Sequence, residues 1–191
     1  MVGHKKITLK GNNFKTSLYF CSDNTNHPMT KATILSLEQT EKAGLFTIIF
    51  EGAAMSEFED FYSKFINNAE RSNDLYQILT QIDLMMTERG FTERNFRYEG
   101  KASDNVVALP VYKNSLRLYC LRLSDNILIV GNGGAKNTRT HEEDKTLNGY
   151  VISLQKLDAL LKEDIKKGLV RIEKTKIIGV DNKEYDLRNK M

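Results

Sequence analysis

The sequence predicts an α+β domain: an antiparallel sheet with a helical hairpin and a C-terminal helix packed on it, preceded by an N-terminal β-hairpin extension. Three observations carry this. The apolar period is 2 up to Phe50, changes to about 3.6 between Met55 and Gly90, and returns to 2 through Leu116–Gly134. A third amphipathic stretch follows the last strands and stops at Gly168. Helices grouped apart from runs of strands define α+β rather than alternating α/β architecture. The 191 residues fit one domain, and 40% hydrophobic with 28% charged residues is an ordinary globular composition.

In residues 1–43, "KITLK" and "SLYFC" read as short strands of a hairpin, separated by "GNN" and followed by the polar loop "SDNTNHPMTK". "KATILSLEQ" reads as a further strand, and "GLFTIIFEG" as a buried one over Leu45–Phe50. In the first helix Phe58, Phe61, Tyr62, Phe65 and Ile66 fall on one stripe, and Ser56 with Glu59 is spaced as a capping box. In the second, Leu75, Ile78, Leu79, Ile82 and Met85 repeat the stripe, with Ser72 as the cap and Gly90 as the stop. Phe61, Phe65, Leu79 and Ile82 are therefore expected in the core.

Strands follow in "RNFRYEGK", "NVVALPVY", "SLRLYCLRL" and "NILIVGNGG", with "SDN" as the turn between the last two. Pro110 cannot donate to a ladder, so its strand lies at an edge or is interrupted there. Leu147, Tyr150, Val151, Leu154, Leu157, Leu161 and Ile165 mark the third helix, and "KIIGVDNKEYDL" reads as a last hairpin turning at Asp181 and Asn182. The expected division is 1–43 N-terminal extension, 44–168 α+β domain, 169–191 C-terminal hairpin and tail.

A net charge of +3 does not by itself indicate nucleic-acid binding, but Lys101–Arg139 carries six basic residues against two acidic ones. Cys21 and Cys120 are far apart, and Cys120 lies within an apolar strand, which points to a reducing compartment. The opening "MVGHKKITLKGNN" lacks the apolar centre of a leader, so a cytoplasmic protein without membrane association is expected. Two Cys and three scattered His make no usual zinc site, no HExxH or GxSxG occurs, and no metal or cofactor is implied. "GNGG" is not a nucleotide loop, since no GxxxxGK[ST] is present and the glycines follow an antiparallel hairpin; they are expected to end the strand in positive-φ turns. Glu57 and Asp60 pair on a helix face with lysines nearby, where solvation explains them.

The element order, with "FRYEGK" and "VVALPVYKNSLRLYCLRLSDNILIVGNGGAKNTR", resembles the RelE/ParE toxin superfamily of bacterial toxin–antitoxin systems over about residues 45–167. Gly100, Leu116-Arg117-Leu118-Tyr119, Asp125 and Ile127 to Gly134 occupy the family's pattern. That family holds both ribosome-dependent mRNA endoribonucleases and gyrase poisons on one fold. The resemblance implies a toxin with an antitoxin protein as partner and, in the endoribonuclease case, cleavage without metal, the ribosome and its mRNA being partners. Arg117 matches the family arginine and would clamp phosphate, because guanidinium offers planar bidentate donors. Arg139 and His141 fall where the family's C-terminal catalytic residues lie, with His141 as the proton-transfer group. Lys101, Lys113 and Lys136 are the expected nucleic-acid contacts. Two departures favour an alternative, a catalytically inert interaction module on the same fold: "VVALPV" stands where ribonuclease members often carry lysines, and Glu142, Glu143 and Asp144 adjoin His141.

Overall fold

In the computed structural model the described residues are 31–99, 103–110, 116–135 and 141–188. The expected N-terminal hairpin of "KITLK" and "SLYFC" lies outside them. The chain runs β1 (Lys31–Gln39), β2 (Gly44–Phe50), α1 (Glu57–Ile66), α2 (Ser72–Leu84), β3 (Arg97–Tyr98), β4 (Val106–Pro110), β5 (Leu116–Ser124), β6 (Ile127–Ala135), α3 (Lys145–Lys166), β7 (Arg171–Glu173), β8 (Lys176–Ile178) and β9 (Glu184–Asp186).

Among the described residues seven strands form one sheet in the order β3-β4-β5-β6-β2-β1-β9, and β7 and β8 form a separate two-stranded ribbon. The large sheet is mostly antiparallel. Among the described strands one pair is parallel, β2 with β6, registered from Gly44 opposite Ile127 to Thr47 opposite Val130. β1 continues the sheet beside β2 with a bulge between Ser36 and Glu38.

Strand alternation sorts the core into two halves, one on each face of the sheet. Leu45, Val107, Leu109, Leu116, Leu118, Cys120, Leu128 and Val130 pack with Phe58 and Phe61 of α1 and Leu75, Ile78, Leu79 and Ile82 of α2. Ile34, Phe46, Ile48, Val106, Ala108, Tyr119, Leu121 and Ile129 pack with Leu147, Val151, Leu154, Leu157 and Leu161 of α3. The helical hairpin thus covers one face and α3 the other. Phe61, Leu79 and Ile82 are buried as expected, whereas Phe65, one turn beyond Phe61 at the end of α1, is only partly buried.

The capping box forms at α1: Glu59 N–H donates to Ser56 Oγ at 3.3 Å, and Ser56 N–H donates to Glu59 Oε2 at 2.8 Å. Ser72 is no cap. It is the first residue of α2, whose preceding position, Arg71, makes no side-chain capping bond. α2 widens into π geometry over Met85–Arg89 and stops at Gly90, whose φ of 71° belongs to the left-handed region. α3 is capped by Asp144, which accepts from Thr146 N–H at 2.9 Å and Leu147 N–H at 3.1 Å. β4 pairs on both sides, but the two-residue β3 ends short of Pro110, so the missing N–H breaks no ladder bond.

Two expectations change. The last hairpin is not β8 with β9: β8 pairs back to β7, and β9 crosses to β1, where Tyr185 lies opposite Ala32. Asn182 does turn, at φ 58°, but the strands it separates diverge. Nor do Gly131–Gly134 end a strand; they are buried inside β6 without positive φ. No helix among the described residues is long and apolar enough to cross a membrane.

Candidate functional site

The glycine run is explained by close approach. Between the Leu118–Gly133 and Cys120–Val130 pairs, β6 carries one residue more than β5, a bulge placing Gly131 and Asn132 opposite Tyr119. A Cβ on Gly133 would fall 1.9 Å from the Arg117 carbonyl oxygen, and one on Gly134 would fall 2.9 Å from Leu147 of α3. A side chain is therefore excluded at Gly133, where β6 passes the Arg117 carbonyl, and at Gly134 it would require the end of Leu147 to shift.

Arg117 alternates with Leu116 and Leu118, which face the helical hairpin, so its side chain is on the α3 face with Tyr119. It lies between Pro110 of β4 and Gly134 of β6, half-buried, with Nη1 donating to the Leu116 carbonyl at 3.1 Å. Burial first, then the neighbouring Arg97, lowers its pKa, while Glu99 and Tyr119 oppose. Arg97 shares this face, since it pairs with Ala108 and Ala108 pairs with Tyr119. The Tyr119 phenol is pushed up, chiefly by burial and then by Glu99, with Arg117 opposing and Asp144 adding. Arg97, Glu99, Arg117, Tyr119 and Asp144 thus form one electrostatic neighbourhood beside the start of α3.

The backbone of His141 opens a single 3-10 turn, His141–Glu143, immediately before the Asp144 cap. Its side chain lies outside what the structure describes, as do Arg139, Lys101, Lys113 and Lys136. Two of the connections that hold these residues are anchored at the Arg117 end of the sheet. Pro110 and Leu116 bracket residues 111–115, and Ala135, paired with Leu116, precedes residues 136–140. Lys101 is bracketed differently. Glu99 N–H donates to Val106 O at 3.4 Å, at the amino end of β4, about 13 Å from Pro110 at the usual strand rise.

A second polar cluster was not legible as a site. The β2–β6 ladder ends at Thr47 and Val130; β2 then leads into α1 on one face and β6 toward α3 on the other. Adjacent parallel strands whose connections leave to opposite faces form a topological switch point. Here Asn132, 2% exposed, donates Nδ2–H to Asp60 Oδ2 at 2.7 Å. Asp60 also pairs with Lys64, which donates to the Tyr150 hydroxyl of α3 at 3.0 Å. Glu57 is 7% exposed, against the expectation of a solvated pair with Asp60. Its carboxyl is pushed up to about 7 by burial first; Asn132 hydrogen bonding opposes, Asp60 adds and Lys64 opposes. The sequence did hold a signal: Glu57 lies four residues before Phe61, on the apolar stripe.

Comparison with protein-family models, with curated proteins and with solved structures finds no match for this chain.

Proposed function

We propose that the protein is a RelE/ParE-like cytoplasmic toxin that cleaves mRNA at the ribosome and is neutralised by an antitoxin protein. The observation that supports this is the placement of Arg97 and Arg117 on one sheet face, at the end where residues 111–115 and 136–140 attach. In this reading the RNA 2′-hydroxyl attacks the adjacent phosphorus, and the guanidinium of Arg117 stabilises the charge gathering on the non-bridging oxygens. His141 exchanges the protons of the attacking and leaving oxygens, with Arg139 as a second cation. Lys113 and Lys136 hold flanking phosphates, and Lys101 contacts RNA farther along.

A second reading is an inert interaction module. Glu99 and Asp144 favour it, because both act on the same neighbourhood as Arg117 and oppose a polyanion.

Expression of the wild-type chain in bacteria, with mapping of mRNA ends in a translating extract, separates the two. The nuclease reading expects growth arrest and new RNA termini, with Arg117→Ala slowing cleavage roughly a hundredfold or more while circular dichroism stays unchanged. A harmless wild-type protein that leaves ribosome-bound mRNA intact rejects cleavage and leaves the interaction module.

A further inference from the structure

We propose that β7 is the contact strand of a weak two-fold dimer, in which the edge of the β7–β8 ribbon pairs antiparallel with the same edge of a second copy of this chain, centred on Ile172. The inference is independent of the nuclease reading and concerns the other end of the sheet. The Thr175 carbonyl lies against Gly44, which is opposite Ile127 at the start of β6, whereas Arg117 is opposite Gly134 near its end.

Two residues, Lys174 and Thr175, join the strands of the ribbon, so Glu173 and Lys176 close the hairpin and exchange both backbone hydrogen bonds. The next pair, Ile172 with Ile177, is then a wide one, whose N–H and C=O groups point away from each other. Among the described residues β8 is the only strand paired with β7. Arg171, Ile172 and Glu173 are all exposed, Ile172 at 36%. An outward N–H and an outward C=O on one residue are what that residue needs to pair with its own copy across a two-fold axis.

The sequence around Ile172 is its own complement. A two-fold axis there sets Ile172 against the partner's Ile172, Arg171 against the partner's Glu173, and Glu173 against the partner's Arg171. The flanking pairs are non-hydrogen-bonded ones, where Cα atoms approach to about 4.5 Å and opposite charges attract across the strands. Within one chain these two side chains already meet, Arg171 Nε to Glu173 Oε1 at 3.5 Å, so dimerisation extends an existing contact into a ring of four charges. One step farther, Lys174 faces the partner's Val170. Within a chain the Val170 N–H donates to the Asp164 carbonyl at 3.3 Å, so the lysine arrives at the C-terminal end of the partner's α3, where positive charge is favoured. A slip of one residue would set Arg171 against Ile172 and forfeit both ion pairs. Three residues a side make a small seam, so the dimer is weak, with a dissociation constant of roughly 10 μM to 1 mM.

Sedimentation of the full chain across that range, with amide NMR at the same concentrations, tests the seam. The expected result is a monomer–dimer equilibrium in which the Ile172 amide shifts with concentration. Arg171→Glu and Glu173→Arg should each weaken dimerisation about tenfold or more by setting like charges across the seam, with circular dichroism unchanged. An equimolar mixture of the two variants should associate again, because every facing pair is then opposite in charge. A chain that stays monomeric at about 1 mM overturns the proposal and leaves the edge to a different partner. Association that does not move the Ile172 amide overturns it too, as does a mixture that associates no better than either variant alone.

Discussion

Gly133 and Gly149 are the same residue type under opposite demands. The Cβ that Gly133 lacks would overlap the carbonyl of Arg117, a backbone atom that cannot move without breaking the β5–β6 ladder. Around Gly149, within α3, a Cβ would meet nothing within 4 Å. Gly133→Ala should therefore cost about 3 kcal/mol from overpacking, while Gly149→Ala should gain about 0.5–1 kcal/mol from restricting the unfolded chain. Urea denaturation of the two variants checks both signs. The sequence showed a glycine run at 131–134 but not why it is there. Turn-forming and contact-permitting glycines read identically until the opposing strand is known. Glu57 was misread for a related reason: charge predicts exposure on average, and only its position on the stripe of Phe61 argued otherwise.

At the scale of elements, periodicity placed β1, β2, both helices of the hairpin and α3, because each is long enough for its period to repeat. It missed β7, and it placed β8 and β9 but paired them with each other; all three are three residues long, and the partner of so short a strand is chosen by tertiary contact. What holds α3 to the segment before β4 was also invisible. Asp158, 1% exposed, accepts from the Asn105 backbone at 3.2 Å, from Asn105 Nδ2 at 2.9 Å and from Lys162 at 2.6 Å. Lys162 reaches the Ser103 carbonyl at 2.8 Å, and Gln155 donates to Asp104 at 2.8 Å. Asp158→Ala would strip the Asn105 donors of their acceptor and should cost about 3 kcal/mol in chemical unfolding. Gln155→Ala, acting at a less enclosed contact, should cost about 1 kcal/mol.

For the molecule as a whole, the layers were legible and the strand order was not. One helix pair, a sheet and a third helix follow from patterning, but nothing local says that β2 lies beside β6, and Thr47 reaches Val130 across 83 residues. The position of Arg117 on a strand was readable; its company of Arg97, Glu99 and Tyr119 required the order β3-β4-β5. β9 closes the far edge and buries Tyr185 and Leu187 against the α3 side of the core. A chain ending at Lys183 should lose about 4 kcal/mol from those two side chains. Its lowered melting temperature, with self-association through the uncovered start of β1, is measurable by calorimetry and sedimentation.

That closure has a consequence for how the protein is made. Lys31 meets Glu184 across 153 residues, so on a translating ribosome β1 waits for nearly all of the remaining chain before its outer partner emerges. Synthesis at roughly 5–20 residues per second leaves β1 without β9 for on the order of ten seconds or more, long compared with hairpin formation. The nascent β1–β2 hairpin is thus a half-finished template during most of synthesis, and the bulge between Ser36 and Glu38 distorts the region that β9 never reaches. A kink there makes the waiting strand a poor match for a neighbouring nascent chain.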